Sequence, residues 1–305
     1  MIDLIIAIAA AMIRQSSILL CGACGEAVSE KAGVINLELD GMMMVGSFTG
    51  FCVAYATGNL WLSIVSAMLI GGLVGLFMSF LTERKKIGQI IAGFGLLFLC
   101  TGASNYFYNT FFGNRPYETI PKFPNLYIKG LSDLPQIGLL FQQPLPIYLA
   151  FIITILAWFV IQKTMIGLKL KACGEDPRVA ASLGVSVTKV RTVALIITGM
   201  LAGLSGSLLT PVLYTRWETN MTGGRGWISI ALVYVGKWNP IFILLGALLF
   251  GFIDTLQLYM KFYADWLPQE LFFMLPYIVA IAVLIPISKR GGAPKSLGET
   301  YKEES

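Results

Sequence analysis

The chain has 305 residues, of which 56% are hydrophobic and 13% charged, with a formal net charge of +5, no histidine and a mean hydropathy of +0.74. Soluble domains carry about 25% charged residues, so an ordinary soluble enzyme is excluded, and apolar stretches near bilayer length exclude disorder and fibrous repeats. Without histidine, Ser-His-Asp triads, His-bearing zinc sites and imidazole bases are removed at once, and the basic excess marks cytoplasmic loops, not nucleic-acid binding.

Residues 4–24 read as a first, retained span. Met1-Ile2-Asp3 lacks the basic start of a signal peptide, and Arg14-Gln15 interrupts the apolar run where a signal is continuous. Cys21-Gly-Ala-Cys24 has redox spacing, but it sits in an apolar helix with no βαβ pattern, where small residues suit close packing. Five cysteines, four of them in apolar runs, imply no disulfide framework. Residues 32–39 are too short to cross a membrane and are expected to be re-entrant or broken. Around them Glu30, Lys31, Asn36, Glu38 and Asp40 either border a pathway or form a solvated loop, because charge between spans must face water, a partner or another charge.

Further spans follow at 41–57, where Met42, Met43 and Met44 serve packing, at 60–81 and at 87–112. In the last of these Asn105, Tyr106 and Tyr108 offer an amide and phenols to a neutral polar solute, although a helix–helix hydrogen bond explains Asn105 equally well. An external loop runs over 113–144, with Tyr117, Phe123 and Tyr127 among its prolines. Spans 145–161, 193–213, 241–260 and 271–287 complete a set of eight. The short segment 226–235 is a second broken or re-entrant candidate, so the count is eight to ten. Just before it, Gly223-Gly-Arg-Gly-Trp227 brings backbone close to a ligand or opens a half-helix; Arg225 and Trp227 then contact solute or anchor the membrane boundary. Gly71 with Gly75, Gly199 with Gly203, and Gly102 beside Ala103 provide small-residue contacts between spans.

Basic residues Arg84 to Lys86, then Lys163 to Arg191, then Lys289, Arg290 and Lys295 place three regions in the cytoplasm. The turns near Trp217 and Asp265 then lie outside, and the side of Met1 stays open. Residues 291–305 form a short, polar, disordered cytoplasmic tail. Its Gly291-Gly-Ala-Pro-Lys-Ser296 lacks the glycine before lysine of a phosphate loop and follows a span, not a strand.

The cytoplasmic loop of about 164–191 contains a complete short helix. Asp176 suits the N-cap, Pro177 the first helical position and Gly184 the left-handed stop, leaving Val179, Ala180 and Leu183 as a small apolar knob. Such a knob suits docking into another protein's groove; the alternative is a plain basic connector.

The run Gly167-Leu-Lys-Leu-Lys-Ala-Cys-Gly-Glu-Asp-Pro-Arg-Val-Ala-Ala-Ser-Leu-Gly184, followed by Val190 through Gly206, resembles the coupling-loop signature of bacterial ATP-binding cassette importer permeases of the branched-chain amino acid, ribose and nucleoside group. Ser29-Glu-Lys-Ala-Gly-Val-Ile-Asn-Leu-Glu-Leu-Asp-Gly-Met-Met-Met-Val-Gly46 and Thr222-Gly-Gly-Arg-Gly-Trp-Ile, with Gly236-Lys-Trp-Asn-Pro240, resemble the nucleoside-type subgroup. Asp40 stands where that subgroup usually has glutamate, and Glu38 where a small residue is common.

The resemblance implies an all-α polytopic permease domain over 1–290 in the bacterial cytoplasmic membrane, surrounded by lipid. The resemblance implies that the chain catalyses nothing and holds no cofactor, ATP and magnesium belonging to a partner ATPase. It also implies a second, unlike permease and an extracytoplasmic binding lipoprotein as partners. The ATPase contact falls on Gly174, Glu175, Asp176, Pro177, Arg178, Ala180, Ala181 and Gly184. The pathway candidates are Asn36, Glu38, Asp40, Asn105, Tyr106, Tyr108, Arg225 and Trp227. A nucleoside is the expected solute, with a sugar, a flavin or a branched-chain amino acid as alternatives. An ATP-independent transporter needs ionisable residues within its spans, where the sequence places few beyond Arg14 and Asp254.

Overall fold

The computed structural model describes residues 2–113, 118–135, 137–263, 269–288 and 292–301. Tyr117, Asp265, Lys289 and Arg290 lie outside the described residues. The elements are α1 (Ile2–Lys31), α2 (Leu39–Thr57), α3 (Leu60–Ser79), α4 (Gln89–Phe112), α5 (Leu145–Lys163), α6 (Met165–Glu175), α7 (Pro177–Ser182), α8 (Val187–Leu208), α9 (Arg225–Val235), α10 (Pro240–Tyr263) and α11 (Gln269–Ser288). Helix α3 continues into a π-helical turn, Phe80–Arg84, and α8 into another, Leu209–Tyr214. Among the described residues, seven helices are long and apolar enough to cross a membrane. The expected eighth span is α11, whose stretch Met274–Ile285 is apolar.

Local chemistry fixes the ends of these helices. Gly58 closes α2 at φ +67°, and Asn59 caps α3 by accepting hydrogen bonds from the Trp61 and Leu62 N–H groups. Thr164 caps α6 through the Gly167 N–H, and Pro146 stands in the first turn of α5.

Contacts show which loops the two ends of α1 meet. Arg14 Nε donates to Gln143 Oε1 at 2.7 Å, so the first half of α1 sits with the external loop before α5. At its other end a Cβ on Gly174, in the cytoplasmic loop, would collide with the Lys31 carbonyl. Helix α1 therefore runs from the face that holds the loop before α5 to the face that holds the basic loop 164–191. It also runs seven residues past the expected span and carries Glu26 and Glu30 into the bundle, where both are fully buried. That corrects the sparse count of ionisable groups in the spans: the two glutamates ended the apolar stretch but not the helix.

Helices α1, α2, α3 and α8 form the centre. A Cβ placed on Gly71 would meet the carbonyl of Gly199, one on Gly199 that of Gly71, one on Gly203 that of Ala67, and one on Gly206 that of Met43. The helices thus touch backbone to backbone, as the spacing of Gly71, Gly75, Gly199 and Gly203 implies. Gly102 faces open space and takes no part. The three methionines are wholly buried against this centre. All five cysteines are free.

One expectation fails. The segment 292–301 is not a loose end: Ser296 and Tyr301 are buried against the cytoplasmic loops. In the turn after α8 the Trp217 side chain is buried, its ring centroid 4.3 Å from that of Tyr108 and its Nε1 donating to Ser47 Oγ.

Gly206→Leu is expected to destabilise the detergent-purified chain by at least about 3 kcal/mol, the upper end of overpacking costs, because the obstacle is main chain. Gly102→Ala is expected to leave the thermal midpoint unchanged. Equal midpoints for the two variants would contradict a backbone-to-backbone seam.

Candidate functional site

Two irregular segments enter the bundle, and their termini meet. Residues 32–38 lead from the cytoplasmic end of α1 to the start of α2, whose first turn holds Asp40. Residues 215–224 turn back from the outer end of α8 to the start of α9. Helix α9 begins without a side-chain cap, since its N-cap is Gly224 at φ +78°. Asp40 supplies the missing acceptor from another helix: Oδ1 receives the Gly226 N–H at 2.9 Å, and Oδ2 receives the Thr222 hydroxyl at 2.9 Å. A carboxylate there also suits the positive end of the α9 dipole. The approach needs glycine, because a Cβ on Gly226 would strike the Asp40 backbone.

Arg225 is held in the same junction. Its Nη2 lies 3.1 Å from Asp254 Oδ2 of α10, the two side chains being 14% and 15% exposed. Further bonds run to the Tyr214 hydroxyl at 3.4 Å and to the Thr222 carbonyl at 3.2 Å. Tyr277 of α11 donates to the Gly223 carbonyl at 3.1 Å. The guanidinium is thus neutralised within the chain, which argues against a simple membrane-boundary anchor. Asp254, Tyr214, Tyr277 and Thr222 were not expected here. A lone carboxylate inside an apolar span calls for a cation, and that signal points from Asp254 to Arg225.

The other candidates divide into three places. Trp227 is half-buried against Phe94, and Asn105 donates to Asn220 Oδ1 at 3.2 Å, so both line the α4 side of the junction. Tyr108 is buried under Trp217, whereas Tyr106 is 66% exposed beside Phe107 and is not brought to the same place. Asn36 and Glu38 lie on the cytoplasmic side of the junction. Asn36 donates through Nδ2 to Glu26 Oε2 at 2.8 Å and to Ser29 Oγ, while its own N–H donates to Glu26 Oε1. Glu30 accepts from Trp238 Nε1. Glu38 is fully buried, and neither carboxyl oxygen has a hydrogen-bond partner among the described residues. The solvated-loop alternative for Glu30, Asn36 and Glu38 is thereby excluded.

Between α6 and α8, α7 has the expected form. Asp176 Oδ1 accepts from the Arg178 and Val179 N–H groups at 3.0 and 3.1 Å, Pro177 opens the helix and Gly184 turns at φ +83°. Val179 is 54% and Leu183 78% exposed. Glu175, Asp176, Arg178 and Gly184 are also exposed, while Ala181 is half-buried. Two residues differ from expectation. Ala180 is buried against Cys173, Val187 and Tyr301, and Gly174 is buried under Pro294 and Ser296. The knob therefore consists of Val179 and Leu183 alone. Helix α6 precedes it as a surface helix of its own, and burial pushes the Cys173 thiol up from its ordinary value, away from thiolate chemistry.

Residues 8–284 match the family described as branched-chain amino acid transport system, permease component. The chain is similar to a putative glucose ABC transporter permease of Haloferax volcanii, 39% identical over 81% of this chain and 76% of the relative. It is also similar to a guanosine ABC transporter permease of Bacillus subtilis, 30% identical over 93% of this chain and 92% of the relative. A nucleoside ABC transporter permease of Lactococcus lactis is 30% identical over 96% of both chains. No solved structure matches the chain.

Asp254→Asn and Arg225→Gln, singly and together, are expected to show a coupling of about 0.5–3 kcal/mol in the thermal stability of the purified chain. Strictly additive losses would mean that the pair does not hold α9 to α10. Asp40→Ala is expected to cost about 1–3 kcal/mol, because it leaves two buried donors unpaired.

Proposed function

The chain belongs to the branched-chain amino acid transport system permease component family, and from that premise we propose that it is the membrane subunit of an ATP-binding cassette importer that moves a nucleoside. It is a multi-pass membrane protein with seven membrane-length helices among its described residues. ATP hydrolysis is assigned to a separate ATPase, a second permease completes the channel, and an external binding protein delivers the solute. The chain's own part is to open and close a polar route.

One observation carries the reading. Helix α7 holds Val179 and Leu183 up to the cytoplasm on a rigid, doubly capped turn, and exposed apolar side chains on a six-residue helix suit a partner's groove. Glu175, Asp176, Pro177, Arg178, Ala181 and Gly184 surround the two apolar groups as a polar rim. Gly174 and Ala180 support the helix from beneath.

The solute reading rests on the two relatives named for guanosine and nucleoside, which align over nearly the whole chain. The chemistry of the junction is compatible with it: Asn105 and Asn220 offer amides, and Trp227 offers a ring face for a flat base. The 39% identity to a relative named for glucose favours a hexose as the second reading. In alternating access, ATPase closure shifts α7 and the two half-entering segments change which side they seal. Asp40, holding α2 to α9, is the point where those segments are joined.

Uptake of labelled guanosine is measured in cells with and without this chain, with unlabelled adenosine, cytidine, glucose, ribose, riboflavin and leucine as competitors. Loss on deletion, competed by nucleosides alone, is expected; competition by glucose alone would transfer the assignment to a hexose. Leu183→Glu is expected to cut uptake about tenfold or more at unchanged membrane abundance, since about 1.4 kcal/mol of docking free energy suffices for that factor. Undiminished uptake would remove α7 from the coupling role.

A further inference from the structure

Residues 292–301 follow the last helix, and they are knitted into six other pieces of the chain. The Ser296 N–H and hydroxyl both bond the Gly174 carbonyl, at 2.9 and 2.7 Å, where α6 ends. The Gly298 N–H reaches the Gly33 carbonyl at 3.3 Å, at the start of the segment that enters the bundle. The Glu299 carbonyl accepts from Gln89 Nε2 of α4 and from Arg191 Nη1 of α8, both at 3.1 Å. Tyr301 is buried with Ala180, the one buried residue of α7, together with Cys173 and Val187. Its ring also lies 5.7 Å from the Lys86 ammonium, next to the π-helical turn of α3.

The same groups bind one another beneath the tail. Arg191 Nε donates to the Ala32 carbonyl at 3.0 Å, and Nη1 lies 3.5 Å from Glu83. Gln89 Oε1 accepts the Ile35 N–H at 3.0 Å. A Cβ on Gly33, which sits at φ +87°, would press 2.8 Å from both Arg191 Nη2 and Ser296 Oγ, so only glycine allows the tail so close. Between Tyr301 and the entering segment there is thus an unbroken series of packed side chains and hydrogen bonds. It continues into Asn36 and Glu38 by the chain itself.

A cleft of about 130 Å³ lies between Pro177 and Arg178 on one side and Glu299, Thr300 and Tyr301 on the other. The tail therefore forms one wall of the surface on which α7 stands.

From this juxtaposition we infer that the segment Gly292–Tyr301 is part of the coupling apparatus: it completes the docking surface for the ATPase and ties α7 to the entering segment 32–38. The inference rests on the docking reading of α7. Movement of α7 reaches the tail through Ala180 and Tyr301, and the tail carries it to Gly33 through Gly298 and to α4 and α8 through the Glu299 carbonyl. Helix α7 otherwise packs on α6 and α8 through Cys173 and Val187, and the tail adds its direct tie to residues 32–38.

The test uses the complete transporter, this chain with its ATPase and second permease in liposomes, and measures solute moved per ATP hydrolysed. Tyr301→Ala and Ser296→Val are each expected to lower that ratio at least about fivefold while the ATPase stays bound and active; Tyr301→Phe is expected to retain it. Wild-type ratios in both variants would overturn the inference. Leu183→Glu separates the two levels: if the ATPase binds that variant normally, the docking reading itself fails, whatever the tail variants do. A second measurement does not depend on variants folding. Hydrogen exchange on the wild-type complex is expected to show the Ser296 and Gly298 amides changing protection together with residues 33–37 on ATP binding. Changes confined to α7 would overturn the inference.

Discussion

Within hydrocarbon, a main-chain N–H or C=O with no protein partner costs several kcal/mol, which is why continuous helices span membranes and irregular chain does not. This protein carries irregular chain between its long helices at 32–38 and 215–224, and groups from other helices supply partners to the main chain there. Glu26 and Gln89 each accept a main-chain N–H of the first segment. Asp40 accepts the one that opens α9, and Tyr277 bonds the Gly223 carbonyl of the second segment. Two of the acidic groups that look anomalous in so apolar a sequence, Glu26 and Asp40, are such acceptors, while Glu30 accepts from Trp238 and Glu83 pairs with Arg191. Glu38 is different, since its carboxyl lies unpartnered where the entering segment turns into α2.

Much of the bundle is legible in the sequence because spans are apolar by necessity. The glycine pairs of α3 and α8 announce close packing by spacing alone, and Asp176, Pro177 and Gly184 announce a capped surface helix. Segments 32–39 and 226–235 betray themselves by being too short to cross. Illegible are the features that depend on distant partners. Nothing local shows that α1 continues through Glu26 and Glu30, because their acceptable burial comes from Asn36 and Trp238. Nothing in Gly-Ala-Pro-Lys-Ser shows that its serine is buried, because its acceptor is the carbonyl of Gly174, more than a hundred residues away. The two sides of Asp40 are legible as a carboxylate and a glycine-rich stretch, but their meeting is not.

The polar features form two tiers joined by one short segment. The outer tier, around Asp40, Arg225 and Asp254, fixes where the half-helices begin; the cytoplasmic tier, around Arg191, Gln89 and the Glu299 carbonyl, fixes where the chain enters. Residues 33–38 belong to both. A permease needs its two faces to exchange accessibility without opening together, and a single segment clamped at both ends gives each face information about the other. The clamps are hydrogen bonds to main chain, so their geometry is set by backbone position and survives variation of most side chains along the way.

The glycine seam between α3 and α8 has a mechanical consequence. Helices separated by side chains can slide by exchanging rotamers, but helices in main-chain contact have nothing to rearrange, so this pair turns as a single lever. At its two ends the α-helical hydrogen-bond pattern gives way to π-helical turns. Phe80–Arg84 lies at the cytoplasmic end of α3, and Leu209–Tyr214 at the outer end of α8, where Thr215 sits at φ +57°. The main-chain seam thus lies between two breaks in helical geometry, one at each end of the pair.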